Sequence, residues 1–116
     1  MGVDRYIHMG AAGATVDSPS RWLRTKALGE IAVKEVNEST TVIRPTQAIC
    51  EEDYLVHRFG RMLMWPLPFI ANLAPERRFQ PVLIDDVAAA IESAIVNRGT
   101  IGKTYEIGGP HEYTNE

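Results

Sequence analysis

Residues 6–22 read YIHMGAAGATVDSPSRW. An apolar, strand-like segment runs into closely spaced glycines and then into a Ser-Pro-Ser helix start. Whether this loop cradles a phosphate decides which part of an α/β fold the chain represents. A dinucleotide loop needs three glycines: one for the tight turn, one for close approach of backbone to pyrophosphate, one for helix–strand packing. Gly10 and Gly13 match the first two, but Val16 stands where the third would be. The helix should also open at once, so that its N-terminus faces the phosphate. Here Asp17 and the Ser-Pro-Ser segment delay it, and Asp17 would repel the anion. No acidic residue closes a strand about 20 residues on, as a ribose contact requires; Glu30 falls inside the next helix. No Gly-Lys-Ser/Thr appears either, so a Walker loop is excluded. The loop reads as a strand-to-helix connection of another kind.

Outward from it, residues 3–9 predict a strand and residues 18–36 a helix, with Ser18 as N-cap and Pro19 at the first helical position. Trp22, Lys26, Gly29 and Val33 fall on one helical face. TTVIRPT (40–46) is β-branched and ends at Pro45, predicting a second strand. DYLVHRFGRMLM (53–64) has a helical pattern. The apolar 62–73 stretch fits either a loop buried in its own domain or a docking surface. FQPVLI (79–84) predicts a third strand, and DDVAAAIESAIVN (85–97) an Asp-capped helix. Its apolar stripe is Val87, Ile91, Ala94 and Ile95, with Gly99 just past its end. KTYEIGGP (103–110) predicts a fourth strand, and YTNE (113–116) the cap of another helix. Strands alternating with helices imply a parallel α/β sheet with right-handed crossovers.

Composition narrows the classes. The 116 residues make one domain at most, and 45% hydrophobic content suits a globular fold. Net charge is −3 and the pI about 5.6, the wrong sign for a nucleic-acid binder. No apolar run approaches a transmembrane span. Cys50 is the single cysteine, so no disulfide framework exists; following an apolar run, it reads as an inert buried thiol. His8, His57 and His111 have no partners at metal-ligand spacing, and no metal is assigned.

A strand, a small-residue loop, a helix carrying Lys26 and a strand ending in Arg44-Pro45 together resemble the second half of the extended short-chain dehydrogenase/reductase fold. In that superfamily a Ser follows the strand, and a Tyr and a Lys lie four apart on the helix, one turn apart on the same face. The Lys binds the nicotinamide ribose and lowers the pKa of the Tyr, which passes the proton. Here Lys26 is present, but Trp22 holds the Tyr position and Gly10 the Ser position. An indole is no acid at neutral pH, and glycine has no hydroxyl. The constellation lacks the acid–base assistance that is worth about 10²–10⁴-fold.

SPSRWLRTKALGEIAV, TVIRPTQAICEEDYLVHRF, RRFQPVLIDDVAAAI and GKTYEIGGPHEYT, in that order, give a narrower match. Over residues 3–114 the chain resembles the family of NADPH-binding accessory subunits of mitochondrial respiratory complex I, atypical non-reducing relatives of those reductases. The resemblance implies a partial Rossmann-like domain over residues 1–116, its second half. It also implies a non-catalytic role in assembly or stability, and a structural NADPH. By it, Lys26 contacts the nicotinamide ribose, Pro45, Thr46 and Gln47 lie beside the nicotinamide, and Gly10 lines the pocket. It implies a place on the matrix side of the inner mitochondrial membrane among other complex I subunits. The family's glycine-rich first half is not within these residues, so a separate chain is expected to supply it and complete the sheet; the other explanation is that the sequence is part of a longer protein. Two further readings stay open: the back half of a catalytic NAD(P)-dependent reductase or epimerase, and an NADP(H)-sensing regulatory module.

Overall fold

A computed structural model of the chain describes residues 2–50, 57, 60, 61 and 78–114. The helix expected over 53–64 and the apolar 62–73 stretch lie outside the described residues, apart from isolated positions. Three parallel strands form the central sheet: β1 (Ile7–Met9), β2 (Thr41–Pro45) and β6 (Thr104–Ile107), in the order β1-β2-β6. Ile7 stands opposite Thr41, and Val42 opposite Thr104. Two small pairs flank this sheet. β3 (Ala48–Ile49) runs parallel to β5 (Val82–Leu83), and β4 (Arg78–Phe79) antiparallel to β7 (Tyr113–Thr114). The α/β class with a parallel sheet is as expected.

Helix α1 (Arg21–Val36) crosses from β1 to β2, and helix α2 (Ile84–Val96) follows β5. They cover opposite faces of the sheet. Arg44 reaches Glu30 of α1, whereas the Thr41 hydroxyl donates to the Thr100 carbonyl just beyond α2. Residues 41 and 44 are three apart on one strand, so their side chains point to opposite faces. β2 is the central strand, and Val42 and Ile43 are almost fully buried, as are Val82 and Val87. Each such side chain contributes about 1.5–3 kcal/mol by leaving water.

Several expected boundaries move, each for a local reason. β1 is confined to Ile7–Met9, because only these residues pair with β2. α1 starts at Arg21 with Ser20 as N-cap, not Ser18: the Ser20 Oγ accepts from the Leu23 N–H, while the Ser18 Oγ accepts from the Ser20 N–H. Pro19 therefore precedes the helix. Its buried stripe is Ala27 and Glu30 with Leu23 beside them, and Trp22 is exposed. The Leu23–Ala27 side packs on Ala11 and Ala14. FQPVLI is not one strand: Phe79 ends β4, Val82 begins β5, and Ile84 is already helical. The Gln80-Pro81 step separates them, proline having no N–H to continue a ladder. Leu83, not an aspartate, caps α2; Asp85 and Asp86 occupy its first turn, where they favour the helix dipole. In α2 Val87 and Ala94 are buried but Ile95 is exposed. Tyr113–Thr114 is a strand rather than a helix cap, paired with β4. Cys50 is exposed, not buried.

Candidate functional site

The loop after β1 continues along β2: the Gly10 N–H bonds the Ile43 carbonyl at 2.8 Å and the Ala12 N–H the Pro45 carbonyl at 3.0 Å. Gly13 then turns the chain at φ +72°, a left-handed conformation that side chains resist. The Ala14 N–H closes back on the Ala11 carbonyl at 3.1 Å. The small residues thus bring the start of α1 down onto the carboxyl ends of β1 and β2.

At those ends lies a cleft of about 650 Å³, well within the usual range for small-molecule sites. Gly10, Lys26, Pro45, Thr46 and Gln47, all five residues expected to meet there, line it together. Met9, Ala11, Ala12, Trp22 and Leu23 complete the near wall. The Lys26 ammonium sits 5.7 Å from the centre of the Trp22 ring, a cation–π contact one helical turn long. Thr46 is fastened in place: its N–H bonds the Ile107 carbonyl at 2.8 Å and its hydroxyl donates to the Gln80 carbonyl.

The far wall consists of residues that the sequence reading left out: Arg78, Phe79, Gln80 and Glu112. Gln80 donates to the Gly109 carbonyl at 2.7 Å, and Arg78 pairs with Glu112 at 3.3 Å. Only the pairing of β4 with β7 brings these distant residues to the cleft. Nothing in their local pattern signals it.

Beneath the cleft is a second unforeseen feature. Glu30 is 3% exposed. Both its carboxylate oxygens accept from Arg44 Nε, at 3.1 and 3.0 Å, and one accepts from Nη2 at 2.7 Å. The Glu30 hydrogen bond raises the Arg44 pKa above its ordinary value. Glu106 adds a longer contact at 3.5 Å. Among the described residues, no group of three His, Cys, Asp or Glu is placed to hold a metal, and no helix is long and apolar enough to cross a membrane.

Solved structures share this fold. The chain superposes on an epimerase from Methanothermobacter thermautotrophicus with a TM-score of 0.73 at 16% identity, covering 98% of this chain and 41% of that one. A dTDP-glucose 4,6-dehydratase from Bacillus anthracis, solved with NAD, gives 0.71 at 17% over 96% and 42%. A yeast methylglyoxal/isovaleraldehyde reductase, solved with NADPH, gives 0.63 at 19% over 97% and 42%. At these identities the likeness establishes the fold, a partial Rossmann-type domain. No family model matches the chain. Sequence relatives are much nearer. The mitochondrial NADH dehydrogenase [ubiquinone] 1 alpha subcomplex subunit 9 of Arabidopsis thaliana is 41% identical over 97% of this chain and 28% of its own length. The protein of the same name from Dictyostelium discoideum is 34% identical over 97% and 31%. The chain spans less than a third of these relatives. Over nearly its whole length, it is homologous to one segment of that subunit.

Proposed function

We propose that the chain is the nicotinamide-side half of a non-catalytic accessory subunit of mitochondrial complex I, on the matrix side of the inner membrane. In this reading it supports assembly or stability and helps to hold a structural NADPH. One observation carries the proposal: Lys26, Gly10, Pro45, Thr46 and Gln47 line a single cleft at the carboxyl ends of parallel strands, where open α/β sheets bind ligands.

The residues fit one end of the cofactor. Lys26 can donate to the ribose hydroxyls. Trp22 offers a flat apolar face, and Pro45 with Thr46 and Gln47 forms an edge beside the nicotinamide. NADPH would bring hydride-donating capacity, but this chain offers no proton donor where a carbonyl would need one: Trp22 stands at that place and position 10 has no side chain. The pyrophosphate end is not provided for, since the loop after β1 lacks the third glycine. In this reading a separate chain supplies the glycine-rich half. Among the described residues β1 pairs with β2 alone, and its other edge is where those strands would add. An open edge of this kind recruits further strands.

The test is to isolate the chain from mild-detergent mitochondrial extract, identify what co-purifies, and quantify released nucleotide. Core complex I subunits, a glycine-rich partner segment and about one NADPH per complex are expected from a single-site cofactor. In the same assembly, Lys26→Met should lower the NADPH content. Isolation of the chain with soluble metabolic enzymes, or NADPH-dependent carbonyl reduction by the isolate, would return the reading to a catalytic reductase. Cofactor bound without respiratory partners would favour a sensing module.

A further inference from the structure

The buried charge beneath the cleft calls for its own explanation. Glu30 is buried and Arg44 keeps about a quarter of its side chain exposed; replacing a desolvated ion pair by apolar side chains of similar volume is often neutral or stabilising, so Glu30 and Arg44 are not needed merely to glue α1 to the sheet. A forked guanidinium–carboxylate pair supplies geometry instead: it fixes distance and rotation together. The positions involved are informative. Trp22, Lys26 and Glu30 are successive one-turn steps along α1. Arg44 immediately precedes the Pro45–Gln47 edge of the cleft. Gly10 is the third party. A Cβ built there would stand 2.0 Å from Glu30 Oε1 and 3.2 Å from Arg44 Cγ. The carboxylate thus occupies the volume of a side chain at position 10. The loop after β1, helix α1 and the end of β2 all meet at this one group.

We propose that Glu30 and Arg44 are positioning residues of the cleft: the carboxylate, seated in the space left by Gly10, sets the height and rotation of α1 on the loop that follows β1, and so where Trp22 and Lys26 stand in the cleft. The inference does not depend on which ligand the cleft takes. Arg44 stays charged under ordinary conditions, as a guanidinium does, and its hydrogen bond to Glu30 raises its pKa further. The second carboxylate, Glu106, approaches from β6 and is more than half exposed, so it steadies the guanidinium without setting the helix.

The test reads geometry apart from stability, in the full chain. Leu23 and Ala27 of α1 pack on Ala11 and Ala14 of the loop after β1, so NMR cross-relaxation between these side chains reports how α1 sits on that loop. In Glu30→Leu/Arg44→Leu the fold should persist, with a melting temperature within a few degrees of wild type or above it, but these helix-to-loop cross-peaks should weaken or vanish as α1 shifts. Gly10→Ala should lower the melting temperature by roughly 5–10 °C in wild type and by far less in the Leu/Leu background. Unchanged helix-to-loop cross-peaks in the folded Leu/Leu variant would overturn the proposal. So would an equal cost of Gly10→Ala in both backgrounds. Should the Leu/Leu chain not fold, Arg44→Lys decides. It keeps the charge but loses the fork, and wild-type helix-to-loop cross-peaks in it would equally sink the idea.

Discussion

Gly109 is the position where a single methyl group should do most damage. It is buried just beyond β6, and a Cβ there would lie 1.9 Å from the Pro81 carbonyl oxygen and 3.0 Å from its carbon. Real contacts stay above 3.0 Å, so the two backbones must part by at least about 1.1 Å, the difference between 3.0 and 1.9 Å. Pro81 is followed by the buried Val82, whose N–H bonds the Gln47 carbonyl at 3.0 Å. Separation would therefore pull the Gln80 wall away from the Pro45–Gln47 edge. Overpacking costs about 1–3 kcal/mol; with rigid backbone on both sides, Gly109→Ala belongs at the upper end. Gly108 is the internal control. Its Cβ would meet only the end of the Gln80 side chain, at 2.7 Å. That group can swing aside for about 1 kcal/mol, the worth of its hydrogen bond to Gly109. Urea unfolding of the full chain, followed by circular dichroism, compares the two. We expect Gly109→Ala to lose about 3 kcal/mol, or roughly 12 °C of melting temperature, and Gly108→Ala about a third of that. Equal losses would refute the reasoning, because the argument rests on backbone against side chain.

Thr41→Val keeps the shape but removes the hydroxyl that bonds the Thr100 carbonyl at 2.8 Å from a fully buried site; thermal unfolding should show a loss of about 1–3 kcal/mol. Because the Arg44 pKa is raised in the folded chain, its stabilisation is complete below the unfolded value and is lost only as pH climbs through the still higher folded value. The melting-temperature difference between wild type and Arg44→Leu should therefore stay flat from about pH 6 to 10, and a decline across that window would mean the guanidinium is not held as described. Trp22→Tyr combined with Gly10→Ser should not create a carbonyl reductase, since the Ser side chain would enter space taken by Glu30. NADPH oxidation in the assembled protein checks this, and a gain approaching the 10²-fold of general acid–base help would count against it.

The periodic elements were legible because their signals are local. β2 announces itself by a β-branched run ending at a proline, and the Gly10–Ser20 segment by its small residues and caps. Lys26, Pro45, Thr46 and Gln47 are assigned by resemblance to a known family, and the rule that ligands sit outside the carboxyl ends of parallel strands agrees with it. Boundaries slipped where competing caps sat close together: Ser18 and Ser20 both qualify, and only the placement of the Leu23 N–H decides. The buried side of α1 was not legible in the sequence. Its apolar residues are spread around the helix, and Trp22 is an attractive core residue by type but is exposed.

What the sequence by itself determined is the α/β class, the strand–helix–strand unit and the departure of the loop after β1 from a phosphate loop, all of which follow from hydrophobic period and turn chemistry; the near-wall residues come with the resemblance to a known family. Only the tertiary structure decided the far wall, where β4 meets β7, and the burial of Glu30 against Arg44 in the space that Gly10 leaves. Glutamate and arginine at positions 30 and 44 look like two solvated surface charges in a sequence. They become a pair around a buried carboxylate only when a helix and a strand pack on a residue with no side chain, and that coincidence of three separate segments has no local signature.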